Sequence, residues 1–476
     1  MKKLALSIII LLATALYTGC TDKQANWVST TDSERWKEQP DIKLNSSAPS
    51  DNYYEIMVNK PDQTIEGFGT CFNELVWDAL NILDENQRTQ IMKDIFDPEN
   101  GLNFTFCRTS IAANDYSREW YSYNETDGDF EMKNFSIERD KSTVIPFIKA
   151  ALALNPNMKI WASPWSVPTW MKTNKYYANQ SGPCNDLPKD KEVPLYNDQI
   201  IQEPKYLEAL ALYYSKYLDA YKKENINISM IMYQNEAFTF SQWPNGSWKP
   251  QSIANFNMNH LGPHLAKTPP EVEIYAGTFN TSDPEVYKAV LTHPDSKKYI
   301  IGIGVQWEGR DIFPTLRDLY PGFKLMQSES ECGWGDFSWE HAEHTFNLMK
   351  RYINGGANSY MNWNAVLKDD GSSTWCWKQN SLIRIMSDTK EVIYATEFYV
   401  YKHVCSKVPV GSVRLPIENS KSNDANMLAF KTPENKIILI AANYKETPSE
   451  INVKINDDYL TTELAAKSFN TFTLNN

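Results

Sequence analysis

Ile228-Ser-Met-Ile-Met-Tyr-Gln-Asn-Glu236 is an apolar run that stops on an amide and a carboxylate. Ile228, Ile231 and Met232 give it the texture of a strand buried on both faces, as parallel strands are inside α/β domains. Packing gives no reason for a carboxylate at the end of such a strand, so Asn235 and Glu236 point to chemistry at the mouth of a sheet. Similar segments recur on either side. Ile65–Phe72, Phe104–Ile111 and Met158–Ser163 come before it; Val272–Gly277, Tyr299–Gln306, Phe323–Glu329 and Ser359–Ala365 follow. Helical spacing fills most of the gaps, over Leu75–Phe96, Thr143–Leu154, Tyr206–Lys223, Gln251–Leu265, Pro284–Leu291 and His341–Ile353. Eight strands alternating with helices predict an α/β fold, a (β/α)8 TIM barrel over 65–395. The competitor is a doubly wound open sheet, which carries fewer strands and a phosphate loop near its start. Gly67 and Gly69 do not continue into a G-x-G-x-x-G pattern, so no dinucleotide site is expected.

Beyond Thr396 the texture changes to short alternating segments: Val408–Leu415, Met427–Lys431, Lys436–Asn443, Glu450–Val453 and Thr461–Leu474. Pro, Asn and Asp separate them, which predicts an appended antiparallel β-sandwich over 396–476. The lone strand near Ile56 assigns residues 46–64 to the same domain. At the other end, Lys2 and Lys3 precede an apolar run from Leu4 to Leu16 that is too short for a stable membrane anchor. It closes on Thr18-Gly19-Cys20, which resembles a bacterial lipoprotein signal over 1–20 with Cys20 lipidated. The expectation is an exported protein attached to a membrane through that lipid alone, facing the periplasm or the cell surface. Residues 21–45, polar and rich in Ser, Thr, Asp and Lys, read as a tether.

The net charge of −12 argues against a nucleic-acid partner. With 15 Trp and 26 Tyr, the chain has ample indole and phenol faces for sugar rings, though large cores use them too. After Cys20, six cysteines remain, and the fifteen connectivities they allow stay open. No metal site and no cofactor are expected, and no G-x-S-x-G elbow supports a serine hydrolase. His260 and His264 are separated by Gly262-Pro263, and His341 and His344 read as a solvated helix face.

Reactive residues of a barrel stand at the carboxyl ends of its strands. Two carboxylates directly terminate apolar strands, Glu236 on the fourth and Glu329 on the seventh, 93 residues apart. Paired carboxyls are what glycosidic cleavage needs: a protonated acid for the leaving oxygen and an ionised nucleophile or base. Asn235 would hold a sugar 2-hydroxyl, and Arg108 would keep a neighbouring Glu ionised. Glu331 is a rival nucleophile, and Asn114-Asp115 read as a turn.

Gly67-Phe-Gly69, Ser163-Pro-Trp-Ser-Val-Pro-Thr-Trp-Met-Lys-Thr-Asn174, Asn235-Glu236, Ser328-Glu329 and Trp363-Asn364 resemble glycoside hydrolase family 30. Its members include glucosylceramidases and β-1,6-glucanases. The resemblance runs from about residue 60 to the C-terminus and implies a barrel fused to a β-sandwich and a retaining double displacement. It implies Glu236 as acid/base and Glu329 as nucleophile, with Glu74, Arg108, Trp165, Asn235, Trp307, Tyr360 and Asn364 at substrate-binding positions. The chain departs from the glucosylceramidase pattern at Glu74, where Asp is usual, and at Gln306-Trp307-Glu308 in place of His-Trp-Tyr. Tyr360 and Asn362 stand in place of Trp and Asp. The expected substrate is a β-linked glucoside, glucan or glycolipid. An endo-β-1,6-glucanase and a carbohydrate-binding lipoprotein without turnover are the alternatives, and oligomeric state is left open.

Overall fold

The computed structural model describes residues 23–49, 52–267, 272–419 and 426–475. Its centre is a closed ring of parallel strands. These are β1 (Gly67–Gly69 and Cys71–Phe72, interrupted at Thr70), β2 (Phe106–Ser110), β3 (Lys159–Ser163) and β4 (Ile228–Met232). They continue with β5 (Glu273–Phe279), β6 (Ile300–Gln306), β7 (Lys324–Glu329) and β8 (Ser359–Met361). Each pairs with its neighbour in sequence order, and β8 returns to pair with the first half of β1. The (β/α)8 barrel is therefore present, with nine hydrogen-bonded segments making eight staves.

Alternation along the strands divides their side chains into two layers. Phe106, Trp161, Met230, Met232, Tyr275, Met326 and Met361 fill the inside as a separate cluster. Ile231, Ile303 and Leu325 face outward into the core beneath the helices. β6 contributes glycines to the interior because nothing larger fits there. A Cβ on Gly304 would lie 2.4 Å from the sulfur of Met232, and one on Gly302 would lie 2.4 Å from the ring of Tyr275.

The helices depart from the sequence reading in several places, among them Gln251–Leu265, which carries a π-helical stretch at Phe256–Leu261, and an added short helix at Ser296–Tyr299. Leu75–Phe96 is two helices, Glu74–Asn81 and Glu85–Phe96, because the Asp84 side chain accepts a hydrogen bond from the backbone of Gln87 and caps a new start. A helix at Phe313–Leu319, too short to show a clear period, lies between β6 and β7.

The second domain is a sandwich of two sheets. One orders Val413–Leu415, Met427–Lys431, Lys436–Asn443, Ser468–Asn475, Gln24–Thr30 and Lys37–Lys43. The other holds Ile417–Asn419, Tyr54–Ile56, Ser449–Ile455 and Asp458–Leu464. All pairings are antiparallel except that of Tyr54–Ile56 with Ser449–Ile455. The strand near Ile56 does join this domain, as expected.

The tether reading does not hold over 23–45, the part of it that lies within the described residues. Gln24–Thr30 lies beside the last strand, with Trp27 opposite Phe472 and their rings stacked 5.6 Å apart. Its neighbour Lys37–Lys43 is a polar edge strand carrying Pro40, and that composition disguised it. The start of the sandwich also moves. Thr396–Cys405 is a helix and not a strand: its Phe398, Val400, Tyr401 and Val404 share one core cluster with barrel residues and with Phe430 and Phe469 of the sandwich, and the C-terminal run of sandwich strands begins at Val413. The proposed signal over 1–20, Cys20 included, lies outside the described residues.

Candidate active site

A cavity of about 180 Å³ opens at the carboxyl end of the barrel, lined in part by Asp115, Trp165, Asn235, Glu236, Trp307 and Glu329. Backbone irregularities aim the two glutamates into it. The fourth strand ends at Met232, four residues before Glu236, and Glu236 itself has φ of +46°. Asn235 N donates to the carbonyl of Pro164 (2.7 Å), tying the ends of β3 and β4 together. On β7 the pairing to β6 jumps from Val305 opposite Gln327 to Gln306 opposite Glu329, skipping Ser328. That bulge turns Glu329, which strict alternation would point outward, toward the mouth.

The two carboxyls are held in different ways. Glu329 Oε2 accepts from Arg108 Nη1 at 2.6 Å, and its Oε1 accepts from the Trp307 indole N–H at 3.1 Å. Among the described residues no cation hydrogen-bonds to Glu236; it accepts from Gln306 Nε2 (3.0 Å) and Thr239 Oγ1 (3.0 Å). Burial, and then the charge of Glu329, pushes the Glu236 carboxyl up to about 8. Burial also raises Glu329, but the Arg108 guanidinium and the Trp307 N–H pull it back. When one proton is shared between the two, Glu236 keeps it.

Arg108 is buried beneath the cavity, with its guanidinium carbon 4.1 Å from the Trp165 ring centre and 4.6 Å from that of Trp161. Its Nη2 donates to Ser163 Oγ and to Asn235 Oδ1, both at 2.8 Å. Asn235 Oδ1 also accepts from Thr278 Oγ1 (3.1 Å) and Gln306 Nε2 (3.2 Å). Three donors on one oxygen fix the orientation of the amide and leave Nδ2 as the group it can offer to a ligand. Gln306 is oriented in turn by Ser328, whose hydroxyl donates to Gln306 Oε1 at 2.8 Å.

The Glycosyl hydrolase family 30 TIM-barrel model matches residues 65–407, and the beta sandwich model of the same family matches 411–472. The chain belongs to glycosyl hydrolase family 30. It is a glycosidase. Lysosomal acid glucosylceramidase of Mus musculus is 27% identical over 411 residues, 82% of this chain and 76% of the mouse protein. Endo-1,6-beta-D-glucanase of Neurospora crassa is 26% identical over 276 residues, 56% of this chain and 53% of that protein. The crystal structure of SrfJ from Salmonella typhimurium superposes with a TM-score of 0.85 at 22% identity, over 94% of this chain and 99% of that one.

Within this family frame the expected site residues divide. Arg108, Trp165, Asn235, Glu236, Trp307 and Glu329 converge at or directly beneath the cavity. Asn364 is buried behind it: its Oδ1 accepts from Asn73 Nδ2 (2.6 Å), and Asn73 Oδ1 accepts from Asn114 Nδ2 (2.6 Å).

Two expectations fail. Glu74 begins a helix away from the cavity, where its carboxylate takes Arg139 Nε and Nη2 at 3.1 Å each and the backbone N–H of Arg118 at 2.8 Å. It is a buried structural ion pair. Tyr360 faces out of β8 against Tyr352 and Tyr401, with ring centres 5.9 and 6.2 Å away, because alternation gives the inward place to Met361. Asn362, another departure, accepts from Thr70 Oγ1 (3.3 Å) and does not line the cavity. The rival Glu331 is tied to Arg310 and to His344 (3.3 Å), also outside it.

The cavity also has walls that sequence reasoning missed. Asp115, whose position in the sequence reads as a turn, is buried on its wall and accepts from the Trp377 indole N–H at 3.1 Å. Burial, then the charge of Glu329, pushes its carboxyl up to about 7. The turn is there as well: Ser117 N donates to the Asn114 carbonyl (3.3 Å), with Asp115 and Tyr116 between them, and Asn114 Oδ1 accepts from the backbone of Tyr116 (2.7 Å). Asn114-Asp115 follows a barrel strand much as Asn235-Glu236 does, and that parallel was the available signal. Glu308, one of the departures from the glucosylceramidase pattern, lines the cavity from the turn directly after β6, whereas Trp243, Trp334 and Trp377 come from loops whose positions no strand pattern fixes. A Cys184–Cys376 disulfide joins the loop after β3 to the loop that carries Trp377.

Proposed function

We propose that this glycosidase is a retaining enzyme that cleaves β-linked glucosyl units by double displacement, with Glu329 as nucleophile and Glu236 as acid/base. The observation that carries the reading is the unequal holding of the two carboxyls: a guanidinium and an indole N–H on Glu329, neutral donors only on Glu236. An ionised Glu329 attacks the anomeric carbon while Glu236 gives its proton to the departing oxygen. Glu236, now ionised, then takes a proton from the water that releases the sugar. Asn235 Nδ2 offers the 2-hydroxyl a hydrogen bond that strengthens at the transition state. Gln306, where the glucosylceramidase pattern has His, orients Glu236 without adding a second titrating group beside it.

The glucosyl assignment is supported by the named activities of the mouse and Neurospora relatives. An endo-acting β-1,6-glucanase is the second reading, favoured by the exposed indole of Trp334 at the cavity rim. A panel of β-glycosides, β-glucans and glucosylceramide tests the function, and a chain that turns none of them over is not this enzyme. Glu329→Gln and Glu236→Gln are each expected to fold and to lose about 10²–10⁴-fold in turnover of an aryl β-glucoside. Proton NMR should show the β anomer first; an α product refutes double displacement. We also propose export and lipid attachment at Cys20, in which case Cys20→Ala should move the protein from the membrane to the soluble fraction.

A further inference from the structure

We propose that Trp334 and Glu308 form the leaving-group side of this site and receive an uncharged sugar ring, so that the leaving group is carbohydrate and not lipid. The proposal rests on the glycosidase reading above and names the class of its second substrate half. The acid/base must reach the oxygen that departs, so side chains beside Glu236 on its solvent side meet the leaving group. Glu308 meets that condition. It lines the same cavity, is exposed at its rim, and its charge acts on the Glu236 carboxyl. Its backbone is fixed, since the Glu308 carbonyl accepts from the hydroxyl of Ser282 on the loop after β5.

Trp334 is 74% exposed, the largest value among the exposed large hydrophobic side chains of the described residues. Its ring meets Trp377 edge-on, at 6.3 Å and 74°, which leaves a face bare. The exposure is built into the loop. Gly333 and Gly335 flank it with φ of +70° and +81°, conformations that favour glycine. Asn380 clamps the segment: its Oδ1 accepts from the backbone of Gly335 (2.9 Å) and Phe337 (3.3 Å), and its own N–H donates to the carbonyl of Cys332 (2.6 Å). An immobilised indole with a bare face is a platform for the apolar side of a sugar ring, and a carboxylate accepts that ring's hydroxyls.

The charge and the surface narrow the ligand. Arg108 beneath the cavity offsets Glu329, and Glu236 holds the shared proton, but no Lys or Arg among the described lining residues offsets Glu308 at the rim, so anionic sugars are repelled there. A two-chain lipid needs a continuous apolar surface. Of the exposed large hydrophobics among the described residues, Leu195, Tyr196, Ile301, Leu319, Trp334 and Val410, Trp334 alone lines the cavity, and Trp243 and Trp377 beside it are half-buried with their rings stacked 6.1 Å apart, so the bare apolar surface at the rim is a single indole.

The test compares two substrates that share the sugar selected by the panel: its β-glycosyl fluoride, whose leaving group touches nothing, and a β-linked disaccharide. Trp334→Ala and Glu308→Gln in the full chain should each lower kcat/KM on the disaccharide, relative to the fluoride, by about tenfold or more. A ratio unchanged in both variants overturns the subsite and leaves the glycosidase standing. A larger loss on glucosylceramide micelles than on the disaccharide overturns it in favour of a lipid leaving group. If the panel finds no β-glycoside that turns over, the function falls and the subsite with it.

Discussion

Replacing Arg108 with Gln removes the guanidinium that pairs with Glu329 and leaves that carboxylate with the Trp307 N–H as its remaining side-chain donor. At the 2.6 Å contact and an effective dielectric of about 20, the attraction lost is on the order of 6 kcal/mol. Desolvation of two buried groups offsets much of it, and a carboxylate beside an Arg moves by about 1–3 pH units, or about 1.4–4 kcal/mol. The active form of the pair carries one proton, with Glu329 ionised and Glu236 protonated. The acidic limb of kcat/KM follows Glu329, so losing the cation should raise that limb by about 1–3 units and narrow the bell against the upper limb near 8. Arg108→Lys keeps the charge and should leave the limb closer to its original place, at the cost of the two-pronged hold on Ser163 and Asn235. Breaking a buried pair costs about 3–5 kcal/mol, so urea unfolding must first show that each variant is folded at the assay temperature. A folded Arg108→Gln enzyme whose acidic limb stays fixed, or moves to lower pH, would refute the claim that this guanidinium keeps the nucleophile ionised.

Burial pushes Glu397 from an ordinary 4.5 to about 7, and its Oε1 accepts from Asn380, the clamp of the Trp334 loop. A raised carboxyl favours the folded state at low pH, a contribution lost as pH climbs from about 4.5 through 7. Glu397→Gln should therefore be more stable than the parent at pH 8, by up to about 3 kcal/mol, with little difference at pH 4; urea midpoints at the two pH values decide it. Cys184 and Cys376 are 192 residues apart, so Cys376→Ser should lower stability by about 2–4 kcal/mol through the released loop. It should also raise KM more than it lowers kcat, because the freed loop carries the Trp377 that holds Asp115; a variant with unchanged KM would separate the disulfide from the site.

The ring of strands was legible because each strand is apolar on both faces and each gap long enough for a helix, a pattern that survives the loss of every loop. The carboxyls just after β4 and at the end of β7 were legible for a related reason: packing gives no reason for an acid where a buried strand runs out. What escaped was whatever depends on a partner distant in sequence. Lys37–Lys43 looks like a linker until Gln24–Thr30 is seen against Ser468–Asn475. Glu74 looked like a sugar ligand until Arg139 was seen to claim both its oxygens.

Tyr360 and Glu329 show how narrow the margin is. Both lie at the carboxyl ends of barrel strands, and the same rule of alternation applies to both. On β8 the rule holds, and Tyr360 is carried outward to Tyr352 and Tyr401. On β7 one skipped residue breaks it, and Glu329 comes round to Arg108. A sequence records neither the skip nor its absence, because a bulge is a relation between two strands. The pattern names the strand that bears the chemistry, while the bulge selects which of its residues performs it. Here that bulge is Ser328, whose hydroxyl then orients Gln306 toward the other carboxyl. One residue thus sets the direction of Glu329 and, through an amide, the hydrogen bonding of Glu236.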